Sequence, residues 1–249
     1  MKELLINLLE GIELTGLYAE EAPLFRELLE KIPPYFINPD GAVQEWMHPQ
    51  LEDNYAHRHL SHIYPVFPGM EITAQNDPAL FEAFRKAVDL RKLGSQSNWS
   101  LTHMASIYAR FGESEKAVEC LDIMTKSVLL DSLFTIANDW RGMGITLPWG
   151  NPPVQLDAVF GTVNAIQEMV FRWQKEALSI LPALPKRLQS GIVRGMVFPE
   201  GRIDIAWYTL EQIEITVYAQ RPLDTDILLN GKYVCHIQLD ANERKTLKI

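Results

Sequence analysis

The sequence predicts a mainly α protein, built of helical hairpins and followed by a small antiparallel β-domain. Three observations carry this. Apolar residues recur at helical spacing through roughly the first 180 positions, strict alternation of apolar and polar residues replaces that period afterwards, and a proline-rich connector, Leu181-Pro182-Ala183-Leu184-Pro185, stands at the change. The expected domains are therefore 1–180, helical, and 181–249, a β-sandwich-like unit.

The helical part reads in order. Leu4, Leu5, Leu8, Leu9 and Ile12 form one stripe, and Pro23 opens a second helix whose apolar face is Leu24, Leu28 and Ile32, ended by Pro33-Pro34. Asp77-Pro78 is an N-cap followed by proline at the first helical position, with Leu80, Phe84, Ala87 and Val88 along one face. Leu101, Met104, Tyr108 and Phe111 make a further stripe closed by Gly112, and Ala117, Leu121, Met124 and Val128 make its hairpin partner. A last helix is expected from about Thr162 to Lys175, burying Ile166, Met169, Val170 and Trp173. In the β-domain, Ile203, Ile205 and Trp207 alternate with Arg202, Asp204 and Ala206, and Ile213, Ile215 and Val217 alternate with Glu214 and Thr216. Asn230-Gly231 between two apolar runs marks a two-residue hairpin.

Composition narrows the function. With 23 basic against 32 acidic residues the net charge is -9, which repels nucleic-acid backbones, and no basic patch offsets it. No apolar run approaches the roughly 20 residues of a membrane span. The first residues read as an amphipathic helix and not as a signal peptide, so a cytoplasmic location is expected if the start is native. Cys120 and Cys235 are far apart, which indicates neither a disulfide framework nor a structural zinc site.

Four loops concentrate aromatic, histidine and carboxylate residues, and loops on a rigid scaffold are where sites are built. They are Gln44-Glu45-Trp46; His57-Arg58-His59-Leu60-Ser61-His62-Ile63-Tyr64-Pro65 with Pro68-Gly69; Asn98-Trp99-Ser100; and Asn151-Pro152-Pro153-Val154-Gln155-Leu156-Asp157 with Phe160-Gly161. Aromatic faces and fixed polar groups of this kind suit sugars. Candidate sugar contacts are Glu45, Trp46, His57, His59, His62 and Gln155. The histidines also admit a metal reading or satisfaction within a packed loop, although their spacing is not the i, i+4 pair of a zinc helix. Asp157 reads either as a helix-capping or surface carboxylate or as a general base, and Trp99 as a core residue opening an apolar stripe.

Taken together, Gln44-Glu45-Trp46, the His57 to Tyr64 run with Pro68-Gly69, Trp99-Ser100 leading to Tyr108-Ala109-Arg110, Pro152 to Asp157 with Phe160-Gly161, and the Leu181 to Pro185 linker resemble glycoside hydrolase family 95. The resemblance covers nearly the whole chain. It implies a partial (α/α)6 toroid and inverting hydrolysis of terminal α-L-fucosides or α-L-galactosides in oligosaccharides, without a cofactor. It further implies that Asp157 is the general base. Inversion needs a second carboxyl group roughly 6.5 to 9.5 Å from the base. The resemblance implies that this general acid, a Glu, and the asparagines that assist the base belong to sequence preceding Met1. A second chain or an N-terminal half would then complete the barrel, of which about seven or eight helices are expected here. One departure bears on the substrate: the family commonly has Gly-Asn after the Asp, and Ala158-Val159 stand there.

Two other readings compete. Tyr108 to Gly112 followed by Glu115-Lys116-Ala117 looks like a helical-repeat turn for protein binding, but no 34-residue period of the kind such repeats need recurs. A carbohydrate-binding remnant without catalysis differs from the enzyme only in lacking the acid.

Overall fold

The computed structural model describes residues 1–146, 150–174 and 177–249, and the chain divides into two compact units, Met1–Ser95 and Gln96–Ile249. The expected boundary at 180/181 lies inside the second unit.

The first unit holds helices α1 (Lys2–Thr15), α2 (Ala22–Glu30) and α3 (Pro78–Asp89). Gly16, at φ 69°, ends α1 in the left-handed conformation that glycine adopts without strain. Asp77 caps α3 as expected, its Oδ1 accepting the Leu80 N–H at 3.0 Å. The predicted inward stripes are only partly buried. Leu5 and Ile12 are buried, whereas Leu4 and Leu8 are exposed, and Leu24 and Leu28 on α2 are 53% and 43% exposed. The main partner of α2 is α1, and a single helix cannot cover the whole stripe. Between α2 and α3 the chain runs without a further α-helix, yet it is well anchored: Ala42, Val43, Leu60, Ile63 and Val66 are buried with Phe84 and Val88 of α3. The Val43 N–H donates to Ala83 O at 3.1 Å, and Tyr35 meets Phe84 edge-on at 5.4 Å.

The second unit begins with α4 (Asn98–Arg110), α5 (Ser114–Val128) and α6 (Asp157–Val170). The Ser97 N–H donates to Ser100 Oγ at 2.8 Å at the start of α4, and Leu101, Met104, Ile107 and Tyr108 are buried along it. On α5 the predicted Ala117, Leu121, Met124 and Val128 are all buried, and Gly112 at φ 76° makes the turn between the two helices. Helix α4 packs on both α5 and α6, and approaches α6 so closely that a Cβ on Gly161 would stand 2.2 Å from Thr102 Oγ1. Two short strands, β1 (Thr135–Ile136) and β2 (Val154–Gln155), pair before α6.

Helix α6 departs from expectation at both ends. It starts at Asp157, five residues early, and stops at Val170, because Phe171 turns extended (φ -149°, ψ 136°) into strand β3 (Phe171–Gln174). Trp173 is therefore a strand residue, and Ile166 is 45% exposed; Lys175, the expected end, lies outside the described residues. After β3 come β4 (Ala177–Ile180), β5 (Gly191–Phe198), β6 (Gly201–Thr209), β7 (Gln212–Ala219), β8 (Leu223–Leu229), β9 (Lys232–Leu239) and β10 (Arg244–Lys248). They form two four-stranded sheets, ordered β10-β7-β6-β5 and β3-β4-β8-β9. All pairings are antiparallel except β4 with β8, which is parallel and corrects the wholly antiparallel expectation. A two-residue turn can join only antiparallel neighbours, and β4 and β8 are far apart in sequence.

Both sheets contribute to one buried cluster, with Leu178, Ile180, Ile227 and Ile237 from one and Ile203, Ile205, Ile215 and Val217 from the other. The alternation predicted for β6 and β7 thus faces inward. Asn230 and Gly231, at φ 48° and 74°, turn β8 into β9 as expected. A partly buried ion-pair network joins α4, α6 and β3: Arg110 Nε donates to Glu168 Oε2 at 2.6 Å, Arg172 Nε to the same oxygen at 3.3 Å, and Arg172 Nη2 to Ala109 O at 2.9 Å. Among the described residues there are six α-helices, fewer than the seven or eight expected, and ten strands. The mainly α description thus fits the chain before Phe171 alone. No helix among the described residues is long and apolar enough to cross a membrane.

Candidate functional site

In the first unit the chain between α2 and α3 brings Glu45, His57 and His62 together around one arginine. Arg91 sits just past the end of α3, its N–H donating to Val88 O at 3.0 Å, with a side chain only 1% exposed. Its Nη2 stands 3.2 Å from Glu45 Oε2 and 3.3 Å from His62 Nε2, while Nη1 donates to Asn54 O at 2.8 Å and His57 O at 3.3 Å. The other Glu45 oxygen lies 3.4 Å from His57 Nδ1, and the Glu45 N–H donates to Asp53 Oδ1 at 2.6 Å. Asp53 is held in turn by Asn38 Nδ2 at 2.6 Å, and Asn38 also donates to Tyr55 Oη at 2.8 Å. Glu45 is thus a buried anchor of the loop, with a side chain 10% exposed. Trp46, next in sequence, is 49% exposed.

The three histidines have different surroundings. His62 is partly buried with its Nδ1 sealed from solvent, and burial first, then the Arg91 charge, pushes its pKa down to about 4. A neutral imidazole beside a guanidinium is a poor place for another cation. His59 is exposed and packs against His57 with ring centroids 4.8 Å apart; partial burial, then His57, lowers its pKa. Among the described residues no group of three or more His, Cys, Asp or Glu is arranged to hold a metal ion. Arg91, Asp53 and Asn38 escape sequence reasoning, because a basic residue at a helix C-terminus and polar residues in a loop have ordinary explanations.

In the second unit, Asp157 is the first residue of α6 and exposed; its carboxylate has no hydrogen-bond or ion-pair partner among the described residues. The two segments before it are laced to α4. The Asn98 N–H donates to Ala137 O and the Ala137 N–H to Pro153 O, both at 2.9 Å, and Gln155 pairs with Thr135 across β1 and β2. Thr135 Oγ1 also donates to Gln155 O. These segments and the head of α4 bury polar atoms without a hydrogen-bond partner among the described residues: Asn98 Nδ2, Asn138 Nδ2, Asp139 Oδ1, Thr146 Oγ1 and Gln155 Oε1. Asn138 and Asp139 are followed by Trp140, 47% exposed, so a carboxylate and an aromatic residue stand together here as well. Trp99 is half-buried.

A groove of about 300 Å³ also crosses the outer face of the β10-β7-β6-β5 sheet, lined by Arg194, Asp204, Tyr208, Glu214, Tyr218 and Arg244. None of these is a sequence-predicted site residue.

The chain is 32% identical over 204 residues to "Alpha-L-fucosidase 2" of Arabidopsis thaliana, covering 81% of this chain and 24% of that protein. It is 24% identical over 233 residues to "Probable alpha-fucosidase A" of Aspergillus oryzae, covering 81% of this chain and 30% of that protein. The chain thus spans about a quarter of the length of these relatives. Among solved structures, "Putative kojibiose phosphorylase from human microbiome" matches 96% of this chain and 35% of its own, at a TM-score of 0.54 and 12% identity, which is a likeness of fold. The model of the glycosyl hydrolase family 95 catalytic domain matches residues 1–170, from α1 to the last residue of α6, and so takes in both histidine loop and Asp157: the chain belongs to glycoside hydrolase family 95.

Proposed function

We propose that the chain supplies part of the centre of an inverting glycosidase that releases terminal α-L-fucosyl or α-L-galactosyl groups from oligosaccharides, with Asp157 as general base. The observation that carries this reading is the Asp157 carboxylate, exposed and partnerless at the head of α6 among the described residues. A general base must be free to take a proton, and a carboxylate without a partner is. In the reaction Asp157 accepts a proton from water as the water oxygen bonds to the anomeric carbon, the bond from that carbon to the leaving oxygen breaks, and a general acid protonates the leaving oxygen. That acid is assigned to a Glu outside this chain, in an N-terminal part or a second chain that also completes an (α/α)6 barrel. The exposed Leu24 and Leu28 and the partial coverage of the relatives support an incomplete helical layer. Residues 1–180 are taken as the catalytic part and 181–249 as an accessory β-domain. Trp46, His57, His59, His62 and Gln155 are assigned to sugar contact, and Glu45 to holding the histidine loop in place.

The test is hydrolysis of an aryl α-L-fucoside and an aryl α-L-galactoside by the chain with and without the upstream part of the protein, following the anomer of the released sugar. Turnover with inversion, abolished by Asp157→Asn, is expected in the complete protein. Turnover that survives Asp157→Asn removes Asp157 from the base role, and retention at the anomeric carbon overturns the mechanism.

A further inference from the structure

We propose that Asn138, with Asn98 and Asp139, reads the hydroxyl groups of the bound sugar, a role that rests on the glycosidase reading of Asp157. Asn138 is 2% exposed, and its side chain makes no hydrogen bond among the described residues. Asn98 is fully buried; its Oδ1 accepts the Trp99 N–H, but its Nδ2 is unpaired. Asp139 is 5% exposed, with Oδ2 accepting the Gly144 N–H at 2.8 Å and Oδ1 unpaired. Buried polar groups are satisfied in the great majority of cases, since each orphan bears its full desolvation penalty. Three side chains in that state, close together along the chain, point to a group beyond the described residues that completes the hydrogen bonding.

The unpaired atoms also specify the class of ligand. Two amide Nδ2 groups need acceptors, whereas Asp139 Oδ1 and the nearby Gln155 Oε1 need donors. An anion such as phosphate satisfies the amides and is repelled by the carboxylate, and an ammonium group does the reverse. A neutral ring with adjacent hydroxyls, each both donor and acceptor, satisfies both sets. The placement agrees: Ala137, the residue before Asn138, is bonded through its backbone to Asn98 at the head of α4 and to Pro153, four residues before Asp157. Trp140, 47% exposed directly after the pair, offers an aromatic face to the C–H side of a sugar.

The experiment is calorimetric titration of L-fucose and L-galactose into the complete protein, upstream part included, and into its Asn138→Leu and Asp157→Asn variants, with thermal melts of each. Leucine matches asparagine in shape, so a ligand-reading amide is removed without loss of a structural bond. The expected result is binding by the parent protein, weakened about tenfold or more in Asn138→Leu, whose melting temperature is unchanged or raised. Binding within twofold of the parent overturns the inference and leaves the role of Asp157 standing, as does a lowered melting temperature, which identifies a structural amide. Absence of binding by the complete parent protein overturns the inference and the sugar-site reading together. Asp157→Asn serves as the control, expected to retain binding, because a base acts on water and contributes little to ground-state affinity.

Discussion

Arg91 Nη2 stands 3.2 Å from Glu45 Oε2, with the two side chains 1% and 10% exposed. A charge this well buried depends on its partner, and removing one member of such a pair costs about 3–5 kcal/mol because the other is left uncompensated. Glu45→Ala is therefore expected to lower stability by that order in urea denaturation. Glu45→Gln should cost less, since its amide oxygen still accepts from Arg91. A loss below about 1 kcal/mol for Glu45→Ala would show the pair to be solvated and return Glu45 to the list of sugar contacts.

His62 and His103 give the protein a defined acid sensitivity. Burial lowers both pKa values from 6.5 to about 4, with Arg91 adding to the effect at His62. The unfolded chain takes up these protons first as pH falls, so protonation favours unfolding. The contribution is complete above pH 6.5, is lost progressively as pH falls towards about 4, and amounts to about 3 kcal/mol for each histidine. Denaturation midpoints measured between pH 7.5 and 5 should fall with pH, and fall less in His103→Gln. A flat profile in the parent protein contradicts the burial of both rings.

Gly161 lies where α6 crosses α4, and a Cβ there would sit 2.2 Å from Thr102 Oγ1 and 2.8 Å from Thr102 Cβ. The nearer atom can rotate away only by giving up its bond to Trp99 O, and the farther one is fixed to the α4 backbone. Gly161→Ala should therefore destabilise by about 1–3 kcal/mol as an overpacking change, even though alanine favours helix. Thr102→Gly should recover part of the loss in the double variant. A Gly161→Ala protein as stable as the parent would mean that the helices separate freely at this point.

Local rules made much of this architecture readable in advance, and long-range ones hid the rest. The Asp77 cap, the Asn230-Gly231 turn and the inward Ile203, Ile205 and Trp207 depend on residues within a few positions of one another, so local pattern places each of them. Met169 and Val170 are buried on α6 as their spacing predicts, but Trp173, which fits the same helical stripe, takes its environment from sheet pairing with Leu178. The parallel pairing of β4 with β8 joins segments with no common local pattern. At the site, the motif residues His57, His62 and Asp157 stand out by type and spacing. Arg91 is fixed by partners distant in sequence, and Asn138 has no side-chain partner among the described residues; neither property is written in the residues around them.

Asp157 offers the sharpest separation of chemistry from structure. A capping carboxylate bonds the N–H groups of the first helical turn, and its loss typically costs about 1 kcal/mol. Asp157 is already within α6, and makes no such bond among the described residues, so only its charge near the positive end of the helix contributes, about 0.3–1 kcal/mol. Asp157→Asn should therefore melt within a few degrees of the parent while removing the function assigned to the carboxylate. The comparison is Asp139→Ala, which frees the Gly144 N–H held at 2.8 Å and should lower the melting temperature more than Asp157→Asn. If the order is reversed, Asp157 belongs to the scaffold, and the base must be sought elsewhere.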